Sequence, residues 1–256
     1  LEHPDPAIRR AALDALGRLG GVDALTPLAA ALDDSQLDVR QAAATRLAQV
    51  VQGMEQAGDL PALQAALAHA NPQVRIQAAT ALGRLGGETA LESLLPALQD
   101  DDPYVRQAVV SALGELGEPA LEALGELFFE DPDLRALAGE ALARLGPLAV
   151  PRLEQALQSP DPALRLAAIQ ALGQAGDETT VDLLLPLLSD PDPQLHRAVT
   201  QAILNLGVSP AGLLAYELAG FEEICLLPGA EAAPAKTLAA VLGYAGYTVR
   251  QGETGC

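Results

Sequence analysis

A segment of about 16 residues occurs seven times along this chain, and this internal repeat constrains the fold more than any other feature. The first copy, residues 5–20, reads DPAIRRAALDALGRLG in one-letter code. A column of arginines fixes the register of the copies at spacings of 29–35 residues, with His196 in the last place. Repeats of this length predict a solenoid, in which each unit buries its apolar face against the next. The column consists of Arg9, Arg40, Arg75, Arg106, Arg135 and Arg165.

Each repeat has the pattern of two helices joined by a turn. An Asp-Pro pair begins the first helix, because the carboxylate caps free N–H groups and Pro fits the first helical position. Ile8, Ala12 and Leu16 follow helical spacing, and a glycine such as Gly20 ends the helix. The second copy begins with Gln36 instead and is expected to start less sharply. Second helices are predicted at residues 24–32, 61–67, 90–98, 119–129, 150–157, 181–188 and 210–219.

The composition agrees with an all-helical protein. Half of the residues are hydrophobic, mostly Ala and Leu, with no Trp, three Phe and four Tyr. Ala and Leu favour helices, whereas strands favour β-branched and aromatic residues. We therefore predict an all-α fold, a right-handed α-α superhelix of about seven two-helix repeats. The solenoid is expected over residues 1–219, followed by an atypical C-terminal cap and loose tail over residues 220–256.

Irregular positions lead to further expectations. The spacing of 35 residues places four extra residues near positions 50–59, in the turn of the second repeat. Gly83 and its counterparts lie inside first helices, which predicts a close approach by a neighbouring helix. Pro96 and Pro186 are expected to bend their second helices. Leu1 aligns with the end of a second helix, so we expect a helix before it to be missing and an apolar flank to be exposed.

The charge of the chain limits its partners. The formal net charge is -19, from 34 acidic and 15 basic residues. Such a surface repels phosphate, so nucleic acid is not expected as a partner. The charge serves solubility or forms a docking surface for a protein with a basic patch. No apolar run is long enough for a membrane helix, so no membrane partner and a cytoplasmic location are expected.

The arginine column is predicted to be structural. Each Arg lies four residues after the helix-capping residue, from where it reaches an Asp of an adjacent repeat. The forked guanidinium meets a carboxylate with two hydrogen bonds, so the column forms a ladder of charge pairs.

Candidate partner-binding residues lie on the second helices, which commonly line the concave wall of helical solenoids. Phe128 and Phe129 cannot both face one core, so one is expected to be buried and the other to anchor a partner at an edge. The candidates are Glu92, Glu122, Glu126, Phe128, Phe129, Arg152, Glu154 and Asp182.

The sequence contains no catalytic cluster, metal-ligand spacing or phosphate-binding loop, so no catalytic, metal or cofactor site is predicted. Its three histidines fall in different repeats. Cys225 and Cys256 lie near the C-terminus, and an accessory role in thiol or iron–sulfur chemistry through them is one alternative.

The repeat resembles the short HEAT-like repeat of phycobilisome lyase proteins, over about residues 4–207. This resemblance implies the solenoid fold. Proteins of this type include bilin lyase subunits, which attach or remove a linear tetrapyrrole on a phycobiliprotein, phycobilisome-degradation factors and scaffolds that dock one protein. The paired His-Glu motifs of deoxyhypusine hydroxylases and the basic face of HEAT-like DNA glycosylases are absent.

These observations favour a non-catalytic scaffold that docks a partner protein on a concave acidic face. The alternatives are a bilin lyase subunit or a phycobiliprotein chaperone or degradation factor, with a bilin as ligand, and the accessory thiol role. If the chain is an enzyme, the resemblance implies a lyase subunit that acts on a bilin–protein linkage.

Overall fold

The computed structural model describes residues 1–176, 178–189 and 192–207, with the backbone alone at 178, 179 and 189. It also describes the backbone of two strands, Glu223–Leu226 and Thr248–Gln251. The chain divides into two compact units, Leu1–Ala149 (unit 1) and Val150–Cys256 (unit 2).

Unit 1 alternates first and second helices in the order that the repeat predicts. The first helices are α1 (Pro6–Leu19), α3 (Leu37–Ala57), α5 (Pro72–Leu85), α7 (Pro103–Leu116) and α9 (Arg135–Arg144). The second helices are α2 (Leu25–Ala30), α4 (Leu60–Leu67), α6 (Glu88–Ala97) and α8 (Leu121–Glu130). Short 3-10 turns flank several of them, at Val22–Ala24, Ala31–Asp33, Glu118–Ala120 and Gly146–Ala149.

The core of unit 1 runs between the two rows of helices. Successive first helices pack against each other in chain order, from α1 to α9. Each second helix packs against a first helix and contributes one fully buried leucine from an equivalent position. No helix pair could bury its apolar face alone, so stacking provides the core. These leucines are Leu28, Leu63, Leu94 and Leu124.

Side-chain caps begin most first helices at the predicted positions. Asp102, for example, accepts hydrogen bonds from the N–H groups of Tyr104 and Val105 at 2.8 and 3.3 Å. The Gln36 side chain makes no such bond, which confirms the weaker start of the second copy. The Asp34 carboxylate accepts a bond from the Gln36 N–H at 2.8 Å.

The extra residues of the second repeat lengthen its first helix, so their predicted place in the turn is wrong. Helix α3 has 21 residues, whereas α1, α5 and α7 each have 14. Val51 and Met54 are buried on the added turn, and their burial favours continued helix. The helix ends at Gly58, which has φ of 64° and ψ of 28° in the left-handed region.

The first helix of the fifth repeat begins three residues later than its Asp131-Pro132 pair predicts, at Arg135. The Asp131 carboxylate accepts hydrogen bonds from the N–H groups of Asp133 and Leu134, at 2.9 and 3.0 Å. The Asp102 cap of α7 accepts the same two bonds, so at Asp131 they cap a turn at residues 132–134 that precedes the helix.

Small residues let first helices approach closely, as the glycine column predicts. An ideal Cβ on Gly83 of α5 would lie 2.7 Å from the Cα of Ala112 on α7. Only a residue without a Cβ fits at this distance. The equivalent Gly114 is covered by Ala141 and by the Arg144 side chain of α9.

Unit 2 continues the pattern with α10 (Val150–Leu157), α11 (Pro162–Ala175), α12 (Glu178–Leu184) and α13 (Pro193–Asn205). Helix α11 packs against α10 and α13, and an ideal Cβ on Gly173 would lie 2.7 Å from the Cα of Ala202, which repeats the close approach seen at Gly83. At Pro186 the α-helix gives way to a 3-10 helix, Leu185–Ser189. Gly176 ends α11 at φ of -81°, so it does not take the left-handed conformation expected of it.

The all-α solenoid class of the repeat region is confirmed. The two strands, which the sequence did not predict, pair in parallel with Glu223 beside Thr248. The predicted division at residue 219 stays a prediction. The predicted helix at residues 210–219, the loose tail and Cys256 lie outside the described residues, and Cys225 lies in the first strand.

Candidate functional site

The arginine column is bound to the backbone of the turn that precedes each first helix. Arg9 donates from Nη1 to the carbonyl oxygens of His3 and Pro4, at 2.6 and 3.1 Å. Arg40, Arg75, Arg106 and Arg165 donate in the same way to the carbonyls six and five residues before them. Arg135 donates to the carbonyls of Phe128 and Phe129. Each guanidinium therefore stabilises the backbone turn that precedes its own helix.

Two members of the column also form bidentate pairs with carboxylates. Arg9 contacts Asp34 at 2.7 and 2.8 Å, and Arg75 contacts Asp100 at the same distances. Each acid lies 25 residues after its Arg and two residues before the next helix cap. The ion pairs thus differ from the expected ladder. Arg9 and Arg75 each bind an Asp in the turn that precedes the next first helix, because that turn lies beside the helix that carries the Arg.

The two ion pairs shift the pKa values of their carboxyl and guanidinium groups. The hydrogen bond from Arg75 is the largest cause that lowers the pKa of Asp100, and burial opposes it. The hydrogen bond from Arg9 likewise lowers the pKa of Asp34. The same bonds raise the pKa of both arginines. These groups hold repeats together, and their guanidinium donors are engaged inside the chain.

A polar column that the sequence reasoning missed lies six residues before the arginines. Its side chains accept a hydrogen bond from the N–H two residues later, as His69 does from Asn71 at 3.0 Å. Where this residue is Asp, it also binds the Arg of the preceding repeat. In the sequence, this column is visible as a side chain with a hydrogen-bond acceptor six residues before all of these arginines except Arg135. The column includes His3, Asp34, His69, Asp100 and Ser159.

The predicted acidic candidates are exposed on the second helices. In unit 1, Glu92 lies on α6, and Glu122 and Glu126 lie on α8. In unit 2, Glu154 on α10 and Asp182 on α12 are also exposed. Arg152 of α10 is half-buried and donates to Gln155 at 3.3 Å.

Basic residues are absent from the second helices of unit 1. All ten arginines within residues 1–149 lie on the first helices α1, α3, α5, α7 and α9, and this segment contains no Lys. We call the exposed residues of α2, α4, α6 and α8 the second-helix surface. Its charged residues are acids, all of them on α6 and α8, and no basic residue lies among them.

The aromatic pair divides between core and edge. Phe128 is fully buried in α8, whereas Phe129 is half-buried beside it, with ring centroids 6.1 Å apart in an edge-to-face arrangement. Phe129 occupies the place six residues before Arg135, where other repeats carry a polar acceptor. An aromatic edge therefore lies next to the acids of α8.

A cavity of about 480 Å³ opens between the second helices α4 and α6. The Gln64 amide donates to the Ser93 hydroxyl across it at 2.9 Å. Glu92, Pro96 and Gln99 also line it, and Leu67 contributes an apolar wall. Sequence reasoning identified Glu92 alone, because the two polar partners belong to different repeats.

The first repeat exposes an apolar face, as expected. Ile8 is 48% exposed and Leu19 is 81% exposed on α1, and a cavity of about 840 Å³ opens there. In α5, Val74 at the position equivalent to Ile8 is fully buried, and Leu85 at the position equivalent to Leu19 is half-buried.

The described residues contain no group of three His, Cys, Asp or Glu side chains that could hold a metal ion. Among the described helices, none combines the length and the apolar character that a membrane span needs.

Comparison with known proteins identifies a family and several relatives of this chain. A family model for HEAT repeats matches residues 1–52, 60–143 and 121–205. The uncharacterized phycocyanin operon protein Z of Pseudanabaena tenuis (strain PCC 7409) is 27% identical over 209 residues, which cover 80% of this chain and 76% of that protein. The phycocyanobilin lyase subunit alpha of Picosynechococcus sp. (strain ATCC 27264 / PCC 7002 / PR-6) is 31% identical over 157 residues, 54% of this chain and 58% of that protein.

The chain spans between 42% and 58% of the length of the phycocyanobilin lyase subunits that it matches. Among solved structures, the complex of CpcE and CpcF of phycocyanin lyase from Nostoc sp. PCC7120 is similar over 80% of this chain and 92% of the compared chain. Its sequence identity is 24% and its TM-score is 0.35. A likeness of this size carries no argument about function.

Proposed function

Because the chain belongs to the HEAT-repeat family, we propose that it is a protein-docking scaffold whose second-helix surface binds a partner with a basic patch. The segregation of charge in unit 1 carries this proposal: ten arginines lie on first helices and none on second helices. Solubility alone needs no such separation, since acids on either row of helices would serve it equally.

The exposed residues of the second-helix surface suit an interface. Glu92, Glu122 and Glu126 supply negative charge along two consecutive second helices. The half-buried Phe129 supplies an aromatic edge, and aromatic residues are enriched among those that contribute most to binding. Charges at the rim of an interface act mainly on the association rate and make it depend on salt.

A charge-reversal pair tests the proposal. Three forms of the chain are immobilised. They are the wild type, a double variant on second helices (Glu92→Lys with Glu122→Lys), and a control double variant on first helices (Glu115→Lys with Glu140→Lys). All four residues are exposed, and both variants change the net charge equally. Proteins of the native host are captured at low salt, and each captured protein is then purified and titrated against the three baits.

We expect one purified partner to bind the second-helix variant about tenfold more weakly, since each rim pair contributes up to about 1 kcal/mol. The control variant should bind as wild type does. Equal losses in both variants would mean that the net charge, and not this surface, attracts the partner.

A second candidate function is favoured by the relatives named phycocyanobilin lyase subunit alpha. In this function the docked partner is a phycobiliprotein subunit and the ligand is a phycocyanobilin. The test incubates the chain with phycocyanobilin and an apo-phycocyanin subunit, with and without a host extract that supplies further subunits. Covalent attachment is measured as bilin fluorescence on a denaturing gel. Attachment that does not depend on the chain under either condition would reject this function.

A further inference from the structure

The cavity between α4 and α6 offers hydrogen-bond acceptors and has no basic residue in its lining. The Glu92 carboxylate is exposed at its edge, and the amide groups of Gln64 and Gln99 add further acceptor oxygens. The Gln64 amide already donates to the hydroxyl of Ser93. A cavity lined in this way favours a ligand with several hydrogen-bond donors.

The negative charge of Glu92 is not neutralised by the arginine nearby. Asp100 also lines the cavity, but Arg75 pairs with it at 2.7 and 2.8 Å and donates its remaining bonds to backbone carbonyls. Arg106 donates to the Asp100 carbonyl. Asp100 is therefore compensated, and Glu92 remains as the uncompensated charge of the cavity.

Pro96 adds a backbone acceptor to the same wall. Proline has no N–H, so the carbonyl of Glu92, four residues earlier, receives no hydrogen bond from the helical ladder at that position. The cavity also lies where α4 and α6 end, and the C-terminal ends of helices favour positive charge. Both features reinforce the preference for a cation with several donors.

The apolar part of the lining fits a hydrocarbon stem. Leu67 and Pro96 border the cavity, and its volume of about 480 Å³ holds a long side chain with part of its backbone. An arginine has such a stem and a planar group with five donors, whereas lysine presents a compact and strongly hydrated charge.

We propose that this cavity is a subsite for one arginine side chain of the partner protein. The subsite rests on the proposed docking function and gives it a specific contact. An acid and a proline recur four residues apart in unit 2, as Asp182 and Pro186, both of which are exposed.

The test is a titration of the isotopically labelled chain, followed by NMR, with Nα-acetyl-L-arginine amide as the probe. Nα-acetyl-L-citrulline amide, which has nearly the same shape and no charge, is the matched control ligand. We expect arginine to shift the signals of residues 64–68 and 92–100, including the side-chain amides of Gln64 and Gln99. Citrulline should produce no saturable shift.

Variants at exposed glutamates give the second readout. Glu92→Gln is expected to weaken arginine binding about threefold to fivefold, the size of one partly exposed ion pair. Glu115→Gln on α7 should leave binding unchanged, and the spectrum of each variant without ligand reports its fold. Shifts spread over all acidic residues, equal effects of the two variants, or equal binding of citrulline would overturn the proposal.

The outcomes separate this subsite from the docking function. If arginine does not bind here while the variant with Lys at positions 92 and 122 still loses the partner, the subsite is wrong and docking stands. If arginine binds as expected but Glu92→Lys with Glu122→Lys keeps the partner at full affinity, the partner does not use the cavity, and both the subsite and the docking surface are wrong.

Discussion

The contact between Gly83 and Ala112 gives a prediction about how repeats stack. In Gly83→Ala, the new Cβ would lie 2.7 Å from the Cα and 2.9 Å from the carbonyl oxygen of Ala112. Ordinary contacts of a Cβ begin near 3.4 Å, so α5 and α7 must separate locally by about 0.7 Å. The neighbour is backbone, which cannot rotate out of the way.

Two opposing effects set the size of the change. Alanine stabilises a helix interior by about 1 kcal/mol relative to glycine. Overpacking costs about 1–3 kcal/mol, and contact with backbone places this site near the upper end. We therefore expect Gly83→Ala to lower the free energy of unfolding by about 2 kcal/mol, as a net result of these effects.

Gly53 of α3 supplies the matched control. It also lies in a helix interior, but an added Cβ would meet no atom within 4 Å. Gly53→Ala is expected to stabilise the chain by about 0.5–1 kcal/mol.

The assay is urea unfolding followed by far-UV circular dichroism. With a slope near 2 kcal/mol/M, the midpoint for Gly83→Ala should fall by about 1 M and that for Gly53→Ala should rise slightly. Stabilisation by both substitutions would refute the claim that first helices touch at Gly83.

Two further predictions concern burial and pH. Leu82→Ala should lower the free energy of unfolding by about 2–5 kcal/mol, because Leu82 is fully buried, and Leu16→Ala at the equivalent, partly exposed position should cost less than half as much. Equal costs in urea unfolding would contradict an uncovered face on the first repeat. Asp100→Asn should lose stability relative to wild type at neutral pH, because Arg75 lowers the pKa of Asp100 in the folded chain. That carboxylate stabilises the fold above its usual pKa of about 3.9, and the contribution disappears as the pH falls through the lowered folded value. The stability difference should therefore shrink between about pH 5 and pH 2, and a constant difference in thermal unfolding over that range would argue against the ion pair.

The repeat made the fold predictable, since its signals act within one unit. The caps, the terminal glycines and the apolar spacing of each helix are local, and they placed most helices to within a few residues. The length of α3 was not predicted, because the burial of Val51 and Met54 by neighbouring helices decides it. The late start of α9 was not predicted either, because Asp131 makes the same cap hydrogen bonds as Asp102 and its sequence does not set it apart.

The candidate site could be predicted from the sequence only in part. The exposure of Glu92, Glu122 and Glu126 follows from helical spacing, so these residues were predicted individually. The contact of Gln64 with Ser93 joins side chains 29 residues apart and depends on how two second helices approach. The separation of arginines from the second helices was visible in the sequence, but its meaning required the two rows of helices to be assigned.

The measurement that tests the docking surface most directly is site-specific photo-crosslinking within one repeat. The photoreactive residue p-benzoylphenylalanine replaces Glu126 on α8 in one variant and Glu115 on α7 in the other, and both positions are exposed. The variants are irradiated in the native host, and covalent adducts are resolved by mass. The account predicts a discrete protein adduct from position 126 and none from position 115. An adduct from position 115 alone, or the same adduct from both, would contradict docking on the second-helix surface.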